Sequence, residues 1–311
     1  MKKFIMKSAW YLYYLLPPSA RQFLKNILKG GGGHMDSSWG HQIALRDANG
    51  KMSLKNSVDI FCDYLDCLNI ESIENKDCLE IGTGYVGTHS LVMWLLGAKS
   101  VTAMDLNKIL VPKALHAACK DFNKYELSVK LKSYVTNIDM LNSRIENLHK
   151  WSLSESSKEH NFFIYEAPFN ILKDQSNTSY DFIFSISVLE HIPPSIVEVF
   201  IETLYKMQRS NSSCMHFIDL TDHYDHENNP LGFLSTDHIR YNENKLADSR
   251  GNRIRSSHWL EIFNKIYLIP VSFSTTKVKS SLLPEKLLMQ FKGLNHETLL
   301  DKSILIGAKK R

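Results

Sequence analysis

In the stretch LEIGTGYVGTHSL, residues Leu79 to Leu91, the glycines Gly82, Gly84 and Gly87 stand in the spacing G-x-G-x-x-G. Glycines so placed let a backbone turn come close to a nucleotide. Asp105 closes the next apolar run, VTAMD, where a carboxylate can receive the hydroxyls of a ribose. Acid–base chemistry is available at two later places. Glu190 and His191 follow YDFIFSISV, and Asp222, His223 and His226 follow CMHFIDL. Imidazole titrates near neutral pH, so His191 or His223 could take a proton from a hydroxyl, with Asp222 as the carboxylate orienting His223. The bland alternatives are a histidine bracing the next helix and a polar loop bonded to itself. DSRGNRIRSSH, residues 248–258, adds Arg250, Arg253 and Arg255, whose forked guanidinium groups grip carboxylate or phosphate.

The elements around these residues position them. Apolar residues at three- and four-residue steps predict a helix over Ser53 to Leu68. Then come a strand CLEIG, the glycine turn, a helix from Thr88 to Leu96 closed by Gly97, and a second strand SVTAMDLN. Strand, turn, helix and strand in so short a span make a βαβ unit and hence a parallel sheet. Helical, polar sequence fills Ile109 to His160. Two strands follow, NFFIYEA and YDFIFSIS, then a helix through SIVEVFIETLYKMQ and a fifth strand, CMHFIDL. After a polar, histidine-rich stretch, two late strands are expected in KIYLIPVSFST and KSILIGAKK. The alternation predicts an open, doubly wound sheet, with ligands outside the carboxyl ends of its strands.

With 311 residues the chain can bury a full core, and its 43% hydrophobic and 23% charged residues are those of a globular domain. A net charge of +4 gives no nucleic-acid footprint. Five cysteines without a C-x-x-C pair read as reduced thiols, which predicts a cytoplasmic protein. The N-terminal piece, MKKFIMKSAWYLYYLL, is basic and aromatic, but Lys7 interrupts it and no small-residue cleavage site follows. It is expected to pack on its own domain rather than on a membrane surface. KGGGG, Lys29 to Gly33, is a flexible break. The division expected is 1–52 as a helical extension and 53–311 as the main domain, with 221–258 inserted as a substrate lid.

A glycine turn and a carboxylate after the second strand serve NAD and S-adenosylmethionine alike. Glu80, two residues before the first glycine, separates them, because a hydride-transfer turn is usually apolar there while a buried acid suits a cofactor with a cationic methionine end. Glu80-x-Gly82-x-Gly84, Asp105, and Asp181-Phe-Ile-Phe-Ser followed by Val188-Leu-Glu-His191 resemble the class I S-adenosylmethionine-dependent methyltransferases, over about Asp77 to Leu220 and the last strand pair. The resemblance implies a Rossmann-like, seven-stranded, mostly parallel α/β sheet with its final strand antiparallel. It puts the cofactor on Glu80, Gly82, Thr83, Gly84, Gly87, Asp105, Leu106 and Ser185. The adenine-contacting position falls near Glu166 and Ala167, where YEAPF replaces the usual Asp. A more diffuse resemblance, in the segment from His216 to Trp259, is to bacterial methyltransferases of surface-sugar and secondary-metabolite pathways.

The expected activity is methyl transfer, most readily to oxygen, on a small polar and anionic metabolite such as a sugar or sugar nucleotide. His223, His191 and Asp222 are the expected catalytic residues, and Arg253, Arg255 and His226 the substrate contacts. Some methyltransferases bind a divalent ion through E-x-x-E-H after the fourth strand. The cluster His216, Asp219, Asp222, His223, Asp225 and His226 offers mixed donors that suit Zn, Mn or Fe, but Ser187 replaces the first acid of that motif, so no metal is expected. An RNA methyltransferase and a catalytically inactive binding protein on the same fold are the rival readings, and the oligomeric state is not legible.

Overall fold

The central strands of the sheet are built on short apolar runs, while the edge strands, Ile164–Glu166 and Ser272–Lys277, are more polar and exposed. In the computed structural model the strands are β1 Asp77–Ile81, β2 Ser100–Met104, β3 Ile164–Glu166, β4 Tyr180–Ile186, β5 Gln208–Asp219, β6 Ser272–Lys277 and β7 Asp301–Lys309. The structure describes residues 37–70, 72–154, 160–174, 178–237, 240–242, 246–247, 250–268 and 271–311. The N-terminal helical piece and glycine break expected before residue 37 lie outside them, as does Asp248.

The strand order is β3-β2-β1-β4-β5-β7-β6. The pairs β1–β2, β2–β3, β1–β4 and β4–β5 are parallel, and β7 runs antiparallel to both β5 and β6. This is the doubly wound, mostly parallel sheet that the sequence predicts, in the order of a Rossmann-like methyltransferase fold. The chain reverses its direction of travel across the sheet between β1 and β4, so the carboxyl ends of these strands flank a crevice.

Alternation along the strands separates two cores. Cys78, Phe182, Phe184 and Met215 face the helices α2 (Leu54–Leu68), α3 (Thr88–Leu95), α5 (Lys124–Leu131) and α6 (Ile138–Ser152). Leu79, Ile81, Ile183, Ile218, Ile304 and Ile306 face α7 (Val197–Met207) and α8 (Ser256–Tyr267). Helix α2 begins at Ser53, whose hydroxyl accepts the Asn56 N–H, and ends at Asn69 in the left-handed region. Its buried Leu54, Val58, Phe61, Cys62, Leu65 and Leu68 form the stripe that its periodicity predicts. Helix α1 (Ser37–Ala48) brings Ala44 and Ala48 against Val86, Val111 and α4 (Pro112–Ala118).

One expectation needs correction. The strand expected from Lys265 does not begin there: Lys265 to Tyr267 complete α8, because Trp259, Ile262, Phe263 and Tyr267 lie on one helical face and fill the second core. Strand β6 starts only at Ser272. The inserted region after β5 builds a third core with a part of the chain that the sequence left unassigned. Leu231, Phe233, Leu234 and Tyr241 pack on Phe291, Leu299 and Leu300 from the β6–β7 connection.

Candidate functional site

The glycine turn between β1 and α3 is shaped by three positive φ angles, +74° at Gly82, +69° at Gly84 and +77° at Gly87. The first and third glycines also permit close packing. A Cβ at Gly82 would sit 2.4 Å from Val188 Cγ2, and one at Gly87 would sit 3.0 Å from Leu110 and Phe163. At Gly84 nothing lies within 4 Å of a built Cβ, so the middle of the turn faces open space. Beside it the Thr83 hydroxyl is buried with no hydrogen-bond partner. A cradle with an orphaned donor–acceptor and room in front of it fits a polar ligand.

Asp105 stands where expected, one residue past β2. Its Oδ2 accepts the Gly84 N–H at 2.9 Å and its Oδ1 accepts the Asn107 N–H at 2.9 Å. Burial pushes its pKa up, and the two N–H donors pull partly back. Each oxygen retains a lone pair for a ribose hydroxyl. Leu106 is 59% exposed at the rim. Glu166 is also exposed, and its carbonyl accepts the Asp105 N–H, so the ends of β2 and β3 meet at this point. Ala167 follows, and Phe169 donates its N–H to the Asp105 carbonyl. Sequence reasoning missed Tyr165, whose hydroxyl receives the Ile109 and Leu110 N–H groups and braces the loop after β2.

Two expected cofactor contacts are turned elsewhere. Glu80 is buried on the α3 side of the sheet. Its carboxylate accepts the Ser90 hydroxyl and lies 3.4 Å from His89 Nδ1, so it holds the first turn of α3. The alternation of β1 carries its side chain away from the open end of the turn. Ser185 faces the α8 side, with its hydroxyl 2.8 Å from His216 Nδ1 in a fully buried pair.

Beyond β4, Ser187 adopts a positive φ of 54°, a conformation rare outside glycine. The chain turns sharply there. Val188 covers Gly82, and the short helical turn Leu189–His191 brings Glu190 and His191 toward the end of β5. The rings of His191 and His223 lie 4.9 Å apart, and those of His223 and His226 lie 4.7 Å apart.

The carboxylate set against these imidazoles is Asp219, not Asp222. Asp219 Oδ2 is 3.8 Å from His223 Nε2 and 3.8 Å from His226 Nδ1. Asp222 instead takes the guanidinium of Arg250 on both oxygens and caps the Tyr224 N–H. Adjacent residues in a turn point apart, so sequence proximity misassigned the partner. His216, in the same histidine-rich run, is buried beside Ser185 and belongs to the core.

The arginines are likewise placed differently from the expectation. Arg253 donates to the carbonyls of Phe233 and Thr236 and stacks on Tyr241. Arg255 donates to the carbonyls of Leu220, Leu299 and Asp301, and burial pushes its pKa down to about 10. Arg253 binds main-chain oxygens inside the inserted region, and Arg255 binds those at the end of β5 and the start of β7, where irregular backbone needs donors. Asn252 ties that region to the site, because its amide donates to the carbonyls of Leu189 and Ile192 at 2.9 Å each.

No family model matches the chain, and no curated protein does. Among solved structures, the chain is similar to magnesium protoporphyrin IX methyltransferase from Synechocystis PCC 6803 with bound SAH, at 12% identity over 87% of this chain and 86% of that one, TM-score 0.45. It is similar to a provisionally named O-methyltransferase from Nostoc punctiforme PCC 73102, at 12% identity over 96% and 71%, TM-score 0.48. It is also similar to a provisionally named hemolysin from Lactococcus lactis, at 14% identity over 83% and 88%, TM-score 0.42.

Proposed function

We propose that the chain is an S-adenosylmethionine-dependent methyltransferase that transfers the methyl group to an oxygen of a small polar metabolite. One juxtaposition carries this reading. The carboxyl rim of the sheet sets an adenosine-type cradle, with the open glycine turn, the unpartnered Thr83 hydroxyl and Asp105, beside a cluster of imidazoles backed by a carboxylate.

In this reading Asp105 receives the ribose hydroxyls, and the turn from Gly82 to Gly84 meets the methionine end through its backbone and Thr83. Glu80 acts through α3, as a positioning residue rather than a contact. A sulfonium methyl is already activated, so the protein must align the acceptor and accept its proton. His223, set against Asp219, is the proton acceptor, with His191 beside it. His226, half exposed, reaches toward the acceptor. An anionic acceptor would need Arg250, Arg253 or Arg255, but their guanidinium groups are bonded to Asp222 and to main-chain carbonyls, so the acceptor is a hydroxyl-bearing small molecule.

Calorimetry with S-adenosylmethionine and S-adenosylhomocysteine tests the cofactor. Replacing Asp105 with Ala removes a net hydrogen-bond contribution to a charged group of about 1.5–3 kcal/mol, so affinity should fall about 10- to 100-fold. Unchanged affinity would remove the assignment. Incubation of a metabolite pool with methyl-labelled cofactor, read by mass spectrometry, then identifies the acceptor. Cofactor binding without labelled product would favour the binding-protein reading.

A further inference from the structure

Glu190 is the least explained side chain at the rim. It is 1% exposed, and neither carboxylate oxygen closes a hydrogen bond of normal geometry. A carboxylate buried without a full partner set costs stability, and an added cation would relieve it. Among the described residues no cation pairs with Glu190. Arg250 pairs with Asp222, and Arg255 donates to four carbonyls.

Around Glu190 the donor atoms converge. One ligand atom each from Glu190, His191 and His223 lie within 4.8 Å of one another, and so do those of Asp219, His223 and His226. The surroundings set which ring nitrogen keeps its lone pair. His191 Nδ1 donates its N–H to the Ala247 carbonyl at 3.1 Å, which leaves Nε2 with its lone pair. The Thr221 hydroxyl donates to Asp219 Oδ1 and so accepts from His226 Nδ1, which leaves that ring's Nε2 as the free donor atom. Asp219 Oδ2 is turned to the imidazoles.

We infer that Glu190, His191 and His223, flanked by Asp219 and His226, form a binding site for one first-row divalent transition-metal ion. Mixed imidazole and carboxylate donors suit Zn²⁺, Mn²⁺, Fe²⁺ or Co²⁺, whereas Mg²⁺ and Ca²⁺ prefer oxygen donors alone. Ligands about 2.0–2.2 Å from such an ion sit about 3–4 Å apart, so small rotations of these side chains close the set. The site rests on side chains alone. Its consequence rests on the methyltransferase reading: an ion there would hold the acceptor oxygen and ease loss of its proton, with His223 a ligand rather than the base.

The test uses the full chain without a histidine tag, stripped with a chelator and titrated with Co²⁺ and Zn²⁺. Calorimetry should give about one ion per chain with micromolar or tighter affinity. Glu190→Gln and His223→Ala should each weaken it at least about 10-fold with melting still cooperative. Bound Mn²⁺ or Cu²⁺ in the unaltered chain should show imidazole-nitrogen couplings in pulsed electron paramagnetic resonance, a readout that needs no variant to fold. Absence of binding at 100 µM, absence of those couplings, or binding indifferent to both substitutions overturns the site. Cofactor affinity measured on the same samples separates the two ideas. Metal without cofactor sinks the methyltransferase reading alone, and cofactor without metal sinks this inference alone.

Discussion

His216 shows how one residue type divides between roles. It shares a short run with His223 and His226, yet it lies fully buried against Ser185 and Phe263. Burial lowers its pKa from 6.5 to about 3, so the folded chain keeps the ring neutral. Unfolding therefore takes up a proton between those values. The stability this provides is complete above about pH 6.5 and is lost as pH falls through about 3. Denaturant unfolding in the native chain should weaken steadily from pH 6.5 to 4, and His216→Gln should flatten that decline. A flat curve in the native chain would show that the ring is not held neutral. For His223, the expected outcome of His223→Ala is a turnover loss of about 100-fold or more at unchanged cofactor affinity. If the rate is unaffected, proton transfer does not pass through that ring or through an ion it holds.

At the scale of elements, the turn after β1 depends on two different uses of glycine. Gly82 and Gly84 both need positive φ, but only Gly82 lies under a neighbour, Val188. Gly82→Ala should cost the strain of the left-handed conformation, about 1–2 kcal/mol, and a clash in addition. Gly84→Ala should cost the strain alone. Its new methyl group would project into the open space of the cradle, so cofactor affinity should suffer more than stability. Chemical denaturation and calorimetry on both variants check the contrast, and equal stability losses would contradict the packing of Val188 on the turn. Glu80 belongs to this scale too. It secures the start of α3 through Ser90 and His89, and so holds the cradle from beneath.

At the scale of the whole molecule, three regions distant in sequence close around the rim. The turn after β4, the region inserted after β5 and the β6–β7 connection are joined by Asn252, Arg253 and Arg255. Asn252→Ala would leave the Ile192 carbonyl without this donor and the Leu189 carbonyl with the Ile192 N–H alone, at a cost of about 2 kcal/mol. The turn bearing Glu190 and His191 should then loosen, with turnover and metal affinity falling together while cofactor affinity holds. Hydrogen exchange localised to residues 187–192 would report the loosening, and exchange unchanged there would show that Asn252 does not secure the turn. No helix among the described residues is long and apolar enough to cross a membrane.

The sequence by itself determined the strands, the direction of the sheet, the glycine turn and the place of Asp105. These depend on period, turn chemistry and the order of elements, all of which are local. It also marked Glu190, His191 and His223 as chemically able. Only the tertiary structure decided which carboxylate backs His223, that Glu80 and Ser185 face inward, and that Arg253 and Arg255 bind carbonyls. Those outcomes depend on which way a side chain leaves a strand or turn, and on what another part of the chain places in front of it. The spacing of Asp219, Asp222 and His223 along the chain says nothing of that. The sharp turn at Ser187 and the packing of residues 278–300 under the inserted region set it, through contacts made only once the sheet has assembled.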